Sequence, residues 1–399
     1  MAQEFRVPSF EIESRINRVQ AELQAQDIDG LLVIQRADIF YFAGTAQNAL
    51  IYIPVEGEPI LMVRKYFPRA QKESPLRNII EIGSITEAKD VIVDFYGMAP
   101  EVLGFELDVI PVNDFTFYKT LFPGQRCVDG SESIKKVRMI KSTWELEQMD
   151  QVAELSRQTF EYMKKNIRPG YSEMEFAGMF EAFARRLGHP GKLRVRDYQT
   201  EGYAWHVLSG KSGGMTGLLD SPASGQGSSS AFPCGGGSKK LAPDEPIMID
   251  FGSALNGYHF DETRMFAITS MPQKAYDASL ASIEIYSEIL TMVKPGESSK
   301  KIFEASVTKA ESLGYGEYYL GITDYKVSFI AHGVGIELIE PPFIASKTDI
   351  ILEPGMVFAI EPKMVFEDEF TVGIENVVAV TDSGYRVISL TPVEVFICN

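Results

Sequence analysis

The sequence predicts an α/β domain followed by an α+β domain built from two copies of one unit, each a helix pair plus an antiparallel sheet. Three observations carry this reading. The chain has 399 residues, more than one small core accommodates, so two domains are expected. From about residue 140 onward the chain repeats itself at a fixed offset. Each copy then carries a carboxylate at a matching place in a strand-like segment. The boundary is expected between residues 135 and 136, giving domains of 1–135 and 136–399.

Residues 11–27 carry Ile12, Ile16, Val19 and Leu23 at helical spacing. Short strands follow in GLLVI at 30–34, ALIYIPV at 49–55 and PILMV at 59–63. This first third reads as α/β. It has no glycine-rich phosphate loop and no cluster of His, Cys or carboxylates, so no chemistry is assigned to it.

Ser142-Thr-Trp-Glu145 is a capping box that opens a long helix toward Ile167. The repeat begins there. Ile167-Arg-Pro-Gly-Tyr-Ser172 recurs as Val293-Lys-Pro-Gly-Glu-Ser298, and each copy ends its next helix at Leu-Gly, Leu187-Gly188 and Leu313-Gly314. The offset is 126 throughout, and it also relates His206 to His332. Pro-Gly closes one helix and serine caps the next, so the unit is a helix–turn–helix pair. Further on, Leu241-Ala-Pro243 precedes Asp250 by nine residues, as Leu352-Glu-Pro354 precedes Glu361. That offset is 111, so the first copy holds 15 extra residues, within the Gly/Ser-rich stretch 209–240. This stretch is either a substrate-facing loop or a flexible surface insertion, and it lacks P-loop spacing.

Asn256-Gly257 signals a type I′ hairpin turn. Asp250 then faces Thr263, and Asp261 lies two residues along from Thr263 on the same face. The two aspartates become diagonal neighbours roughly 7 Å apart or less. Two like charges so close need a cation or a proton between them. In the second copy Glu361 and Glu375 are candidate partners on a second hairpin, with His332 in Ala331-His-Gly-Val-Gly335. Four carboxylates balance two divalent ions, and the oxygen-plus-imidazole set favours Mn²⁺, Co²⁺, Zn²⁺ or Fe²⁺ over a thiolate-type zinc site. Two such ions about 3.5–4 Å apart can activate a shared water and polarise a carbonyl.

At these residues the sequence resembles the pita-bread metallopeptidases: prolidase, aminopeptidase P and methionine aminopeptidase. IDFG and DETR match that family's two-aspartate motif, AHGVG its histidine motif, and AIEP and GIEN its two glutamate motifs. Residues 1 to about 135 are similar to the creatinase/prolidase N-terminal domain, and the rest to the pita-bread catalytic domain. The resemblance implies that Asp250 holds the second metal, that Asp261 and Glu375 bridge, and that His332 and Glu361 bind the first. It makes Glu361 the catalytic proton shuttle as well. It implies hydrolysis of an Xaa-Pro bond in a short peptide or other small amide, two divalent ions with Mn²⁺ foremost, and a homodimer.

The sequence departs from that family in three places. Pro233 and Ile339 stand where prolidase-like enzymes usually carry histidines, and Gly373 stands where an arginine often occurs. Losing one transition-state donor costs about 3 kcal/mol, so a replacement is needed. His206 is the candidate catalytic replacement, set against a plain buried strand histidine. Glu340 resembles an acidic residue of the family's substrate site. His189 and His259 receive no role, while Tyr258 and Phe260 are expected to pack. The alternatives are another enzyme on the same fold, a lyase or small-amide hydrolase, or a non-catalytic peptide-binding protein.

Composition narrows the setting. Hydrophobic residues make up 45% and charged residues 23%, as in a soluble globular protein. No apolar run reaches the ~18 residues of a membrane span, and MAQEFRVPSF has no apolar signal-peptide core. A net charge of −17 opposes nonspecific binding to nucleic acid or anionic membranes. Cys127, Cys234 and Cys398 are too few and too far apart for a disulfide framework or a zinc pattern, which fits a reducing cytoplasm.

Overall fold

The computed structural model describes residues 5–196, 205–217 and 221–399. It divides into two units: Met1–Arg138 with Arg196–Tyr198, and Met139–Val195 with Gln199–Asn399.

The first unit runs α1 (Ser9–Ala25), β1 (Gly30–Val33), α2 (Arg36–Ala43), β2 (Ala49–Pro54), β3 (Ile60–Val63), α3 (Phe67–Glu73), β4 (Ile79–Glu81), α4 (Ala88–Tyr96), β5 (Val102–Phe105), α5 (Val112–Leu121), β6 (Arg126–Asp129) and α6 (Ser131–Met139). Ile12, Ile16, Val19 and Leu23 form the buried stripe of α1, as their spacing requires. The sheet order is β4-β3-β2-β1-β5-β6. The pairs β1–β2 and β2–β3 are antiparallel and the rest parallel. Strands β1, β2 and β3 are buried throughout, as expected of strands covered on both faces. The unit also buries carboxylates that sequence reasoning left out. Asp38 receives Arg138 at 2.8 Å and Arg196 at 2.5 Å. Burial alone would raise its pKa, but the two guanidiniums outweigh burial and hold it below the usual carboxylate range.

The second unit runs α7 (Thr143–Asn166), α8 (Glu173–Arg186), β7 (His206–Ser209), β8 (Ile247–Leu255), β9 (Tyr258–Ile268), α9 (Gln273–Met292), α10 (Ser299–Ser312), β10 (Phe329–Gly333), β11 (Glu340–Ala345), β12 (Val357–Ile360), β13 (Lys363–Phe366), β14 (Phe370–Gly373), β15 (Asn376–Val380), β16 (Tyr385–Val387) and β17 (Val395–Cys398). Its sheets are β17-β9-β8-β7, β11-β10-β12-β15-β16 and the ribbon β13-β14. All pairings are antiparallel except β17 with β9.

The duplication is visible bond by bond. Helices α8 and α10 have 14 residues each, begin on the serine caps Ser172 and Ser298, and end at Leu187 and Leu313. Gly170 N donates to Leu241 O at 2.9 Å, and Gly296 N to Leu352 O at 2.8 Å. Glu173 N donates to Lys239 O, and Ser299 N to Ile350 O. These are the two offsets of the sequence repeat, read in hydrogen bonds.

The Gly/Ser-rich stretch is not a loose insertion where it is described; residues 218–220 lie outside the described part. Ala223, Ser224, Gly235 and Gly236 are buried. The buried Glu173 carboxylate anchors the stretch, accepting from Ser209 N and Oγ, Ser212 Oγ and Gly237 N at 2.7–3.0 Å. Among the described residues no helix is long and apolar enough to cross a membrane.

Candidate metal centre and active site

The site is built from residues of the second unit. Asn256 and Gly257 both have positive φ, 56° and 90°, as a type I′ turn demands. The turn sets the register of β8 on β9: Asp250 opposite Thr263, and Gly252 opposite Asp261. Strand β7 adds His206 beside Asp250. The second hairpin has the same design. Ile360 pairs with Asn376, and Lys363 with Gly373. The intervening Glu361 and Glu375 therefore face each other.

The two hairpins are tied together. Glu375 N donates to Thr263 O at 3.2 Å, and Thr263 Oγ1 to the Glu375 carboxylate at 2.8 Å. The buried Arg264 guanidinium donates to the carbonyls of Thr263, Glu375 and Thr391 and to Asn376 Oδ1, at 2.6–2.8 Å. The arginine of the DETR segment is thus a clamp between hairpins.

Asp261, His332 and Glu375 are buried and offer atoms that all lie within 4.8 Å of one another. His332 Nε2 is 3.6 Å from Glu361, 3.8 Å from Glu375 and 3.9 Å from Asp261. Its Nδ1 lies 3.1 Å from the Gly333 carbonyl. A carbonyl only accepts, so Nδ1 carries the hydrogen and the Nε2 lone pair points at the carboxylates. Asp261 Oδ1 and Glu375 Oε1 are buried without a hydrogen-bond partner. Orphaned oxygens around a free imidazole lone pair are the donor set a divalent ion requires. These residues fit an ion. Burial, reinforced by the neighbouring carboxylates and only partly opposed by Lys363, pushes the carboxyls of Asp261 and Glu375 well above their ordinary pKa.

The other side of the cluster already holds a cation. Lys363, 1% exposed, places Nζ 2.8 Å from Asp250 Oδ2, 2.8 Å from Glu361 Oε2 and 3.5 Å from Glu375 Oε2. Burial opposes the charge, but Asp250, Glu361 and Glu375 outweigh it and hold the ammonium well above the usual lysine pKa. Burial would likewise raise the Asp250 carboxyl, but Lys363 and His206 hold it below the carboxylate range. The charge balance drawn from the sequence, four carboxylates against two divalent ions, omits this lysine. The signal was present: Lys363 follows Glu361 by two residues, a spacing that puts both on one face of an extended segment. Gly373 opposite makes room, since a Cβ there would come within 2.5 Å of Lys363 Cγ.

His206 Nδ1 lies 3.6 Å from Asp250 Oδ2, and its buried Nε2 has no partner. It borders a cavity of about 110 Å³ that Asp250, Asp261, His332, Glu361, Lys363 and Glu375 also line. The apolar wall is Leu193, Trp205, Phe329, Leu338 and Ile339. Ile339 thus faces the cavity from a position where histidine is usual in the family, whereas Pro233 does not line it.

Glu340 requires a correction. It is not among the cavity-lining residues. Its buried carboxylate is 2.8 Å from Lys141 Nζ, and Gly335 leaves space for it, since a Cβ there would meet Glu340 Oε1 at 2.3 Å. The carboxylate is consumed by an ion pair and is not free to receive substrate. The remaining histidines serve the backbone: His189 Nδ1 accepts from Gly191 N and His259 Nε2 from Arg194 N. Tyr258 and Phe260 are fully buried packing residues.

A helix-pair duplication that brings two carboxylate hairpins and a histidine to one cavity defines a two-domain metallopeptidase with a pita-bread catalytic domain. Known proteins agree. The model of metallopeptidase family M24 matches residues 147–382, and that of the creatinase/prolidase N-terminal domain matches residues 15–140. The chain belongs to metallopeptidase family M24, and divalent metal is part of that family's chemistry. It is 25% identical over 373 residues to the uncharacterized peptidase YqhT of Bacillus subtilis, covering 93% of this chain and 96% of that protein. It is 24% identical to the Xaa-Pro dipeptidase of Pyrococcus furiosus, covering 95% and 99%. Among solved structures, the Xaa-Pro dipeptidase from Bacillus anthracis superposes with a TM-score of 0.82 at 24% identity over 97% of this chain and 99% of that one. The X-Pro aminopeptidase from Thermotoga maritima gives 0.79 at 22% identity over 96% and 99%.

Proposed function

We propose that the chain hydrolyses Xaa-Pro peptide bonds, as a dipeptidase or an aminopeptidase, with Mn²⁺ as the preferred divalent ion and Co²⁺, Zn²⁺ or Fe²⁺ as substitutes. The carrying observation is one cavity with carboxylates and a histidine on one side and Leu193, Trp205, Phe329, Leu338 and Ile339 on the other. The apolar wall suits a proline ring; the polar side suits the amide before it. Relatives named Xaa-Pro dipeptidase support the same substrate class.

Asp261, His332 and Glu375 would hold metal, with Asp250 and Glu361 beside them. When bound, a divalent ion supplies a water of lowered pKa and polarises the scissile carbonyl. Glu361 takes the proton of the attacking water and delivers it to the leaving nitrogen. His206 Nε2, unpartnered at the cavity wall, contacts the substrate in place of the histidine absent at Ile339. The apolar wall keeps bulk water from the reacting bond. The protein works in the cytoplasm as a homodimer.

The test is hydrolysis of Xaa-Pro dipeptides, Xaa-Pro-Xaa tripeptides and proline-free controls by metal-loaded protein, read by mass spectrometry. Wild type should cleave only the proline peptides, and Glu361→Gln should lower kcat by roughly 10²–10⁴-fold. Equal cleavage of the controls, or none of any peptide, refutes the substrate assignment.

A further inference from the structure

Lys363 has no part in the reading above, yet it sits in the middle of the carboxylates. Its ammonium contacts Asp250 and Glu361 at 2.8 Å and lies 3.5 Å from Glu375. Those contacts are as short as charge-assisted hydrogen bonds become. The rest of the cluster is different in kind. Around His332 Nε2 the Asp261 Oδ1 and Glu375 Oε1 atoms are buried with no partner. One half of the cluster has its cation in the chain, and the other half lacks one.

A second ion beside the first would lie about 3.5–4 Å from it and bind Asp250, with Asp261 and Glu375 bridging, at roughly 2.0–2.2 Å. Two of those carboxylates, Asp250 at 2.8 Å and Glu375 at 3.5 Å, already face the Lys363 ammonium. Ion and ammonium would then compete for the same carboxylates, with like charge. The lysine has little room to leave: it is 1% exposed, and its stem packs on Gly373, where even a methyl group would collide with it. The repeat gives an internal reference. Gly252 matches Lys363 by the offset of 111 that relates Asp250 to Glu361, so the first hairpin leaves vacant what the second fills.

We propose that this chain holds a single divalent ion, on His332, Asp261 and Glu375 with Glu361 alongside, and that the Lys363 ammonium permanently replaces a second ion at Asp250. The inference rests on the preceding reading for the presence of metal, and it fixes the number of ions in that site.

The experiment loads purified full-length protein with excess Mn²⁺, removes free metal, and counts bound manganese by mass spectrometry alongside electron paramagnetic resonance. Wild type should retain one ion per chain and show the spectrum of an isolated Mn²⁺. His332→Ala and Asp261→Asn should lose that ion, whereas Asp250→Asn should keep it. Lys363→Gly should gain a second ion and an exchange-coupled spectrum. Lys363→Met, which keeps the bulk, should stay at one. Two ions or a coupled spectrum in the wild type would overturn the proposal, and so would no ion at all. No substrate enters the measurement, so failure to cleave Xaa-Pro peptides leaves this result standing, and a two-ion result leaves the peptidase reading standing.

Discussion

Asp250 and Glu361 occupy matching positions on the two duplicated hairpins, but the residues around them have been exchanged. The positions of the first hairpin on the face of Asp250 are Asp250, Gly252, Asp261 and Thr263. Those of the second are Glu361, Lys363, Gly373 and Glu375. Where the first has glycine at 252 the second has lysine, and where the first has Asp261 the second has Gly373. Each hairpin therefore carries one glycine among four inward positions; Gly373 releases space to Lys363 across from it, and Gly252 to Leu193 and Leu338. The duplicated backbone supplies eight matching places, six of them lining one cavity; the charge placed at each was free to diverge. The same divergence reaches the helices. Glu173 at the start of α8 matches Ser299 at the start of α10. Glu173 anchors the extra loop of the first copy, while Ser299 Oγ accepts a single bond from Ile350 N.

The largest expected effect breaks this last pair. Glu173→Ala would leave two backbone N–H groups and two hydroxyls without their buried acceptor, a loss of about 3–5 kcal/mol. Ser299→Ala removes one acceptor and should cost about 1 kcal/mol. Urea unfolding of the two variants measures the difference. Equal losses would mean that the loop does not depend on Glu173.

The duplication was legible in the sequence because its signals are local. Pro-Gly, serine caps and Leu-Gly act within one or two turns of a helix, and Asn256-Gly257 sets its own hairpin register. That register alone puts Asp250 opposite Thr263, and the pairing is the one found. Lys363 was missed for a different reason. Lysine is normally a solvated surface residue, and only the second hairpin's register, whose turn carries no Asn-Gly, turns it inward. Glu340 shows the opposite failure. A family resemblance directed attention to it, but its partner Lys141 is remote in sequence, and only the folded chain reveals that the carboxylate is taken. Asp38 and Arg138 in the first unit were illegible on the same ground.

The glycine exchange can be tested from both sides. A Cβ at position 373 would stand 2.5 Å from Lys363 Cγ and 3.3 Å from its Cα. The lysine stem is held by its ion pairs and cannot yield cheaply, so Gly373→Ala should cost about 1–3 kcal/mol. A Cβ at position 252 would meet the end of the Leu193 side chain at 2.7 Å, a methyl group that can rotate away. Gly252→Ala should therefore cost less than about 1 kcal/mol. Thermal melts of the pair decide it, and a larger loss at 252 would contradict the packing argument.

The last effect, absent at neutral pH, is a pH dependence confined to one copy. His189 follows Leu187-Gly188 as Tyr315 follows Leu313-Gly314, and both donate their backbone N–H back into the preceding helix. Burial against Trp205 and Phe251 pushes the His189 imidazole down from 6.5 to about 4, with Glu181 only partly opposing. Above pH 6.5 the ring is neutral in both folded and unfolded chains and contributes no pH dependence. Between about 6.5 and 4 the unfolded chain binds a proton that the folded chain refuses, so stability falls as pH falls, by about 1.4 kcal/mol per pH unit. Below about 4 both forms are protonated and the slope vanishes. Tyr315 stays neutral across that window, since burial raises its phenol further. Denaturant midpoints of wild type and His189→Gln at pH 7, 6 and 5 should diverge by that slope, whereas Tyr315→Phe should track the wild type. Parallel curves for His189→Gln would mean the folded chain admits the proton, and that the first copy is less tightly closed around His189 than its packing against Trp205 and Phe251 implies.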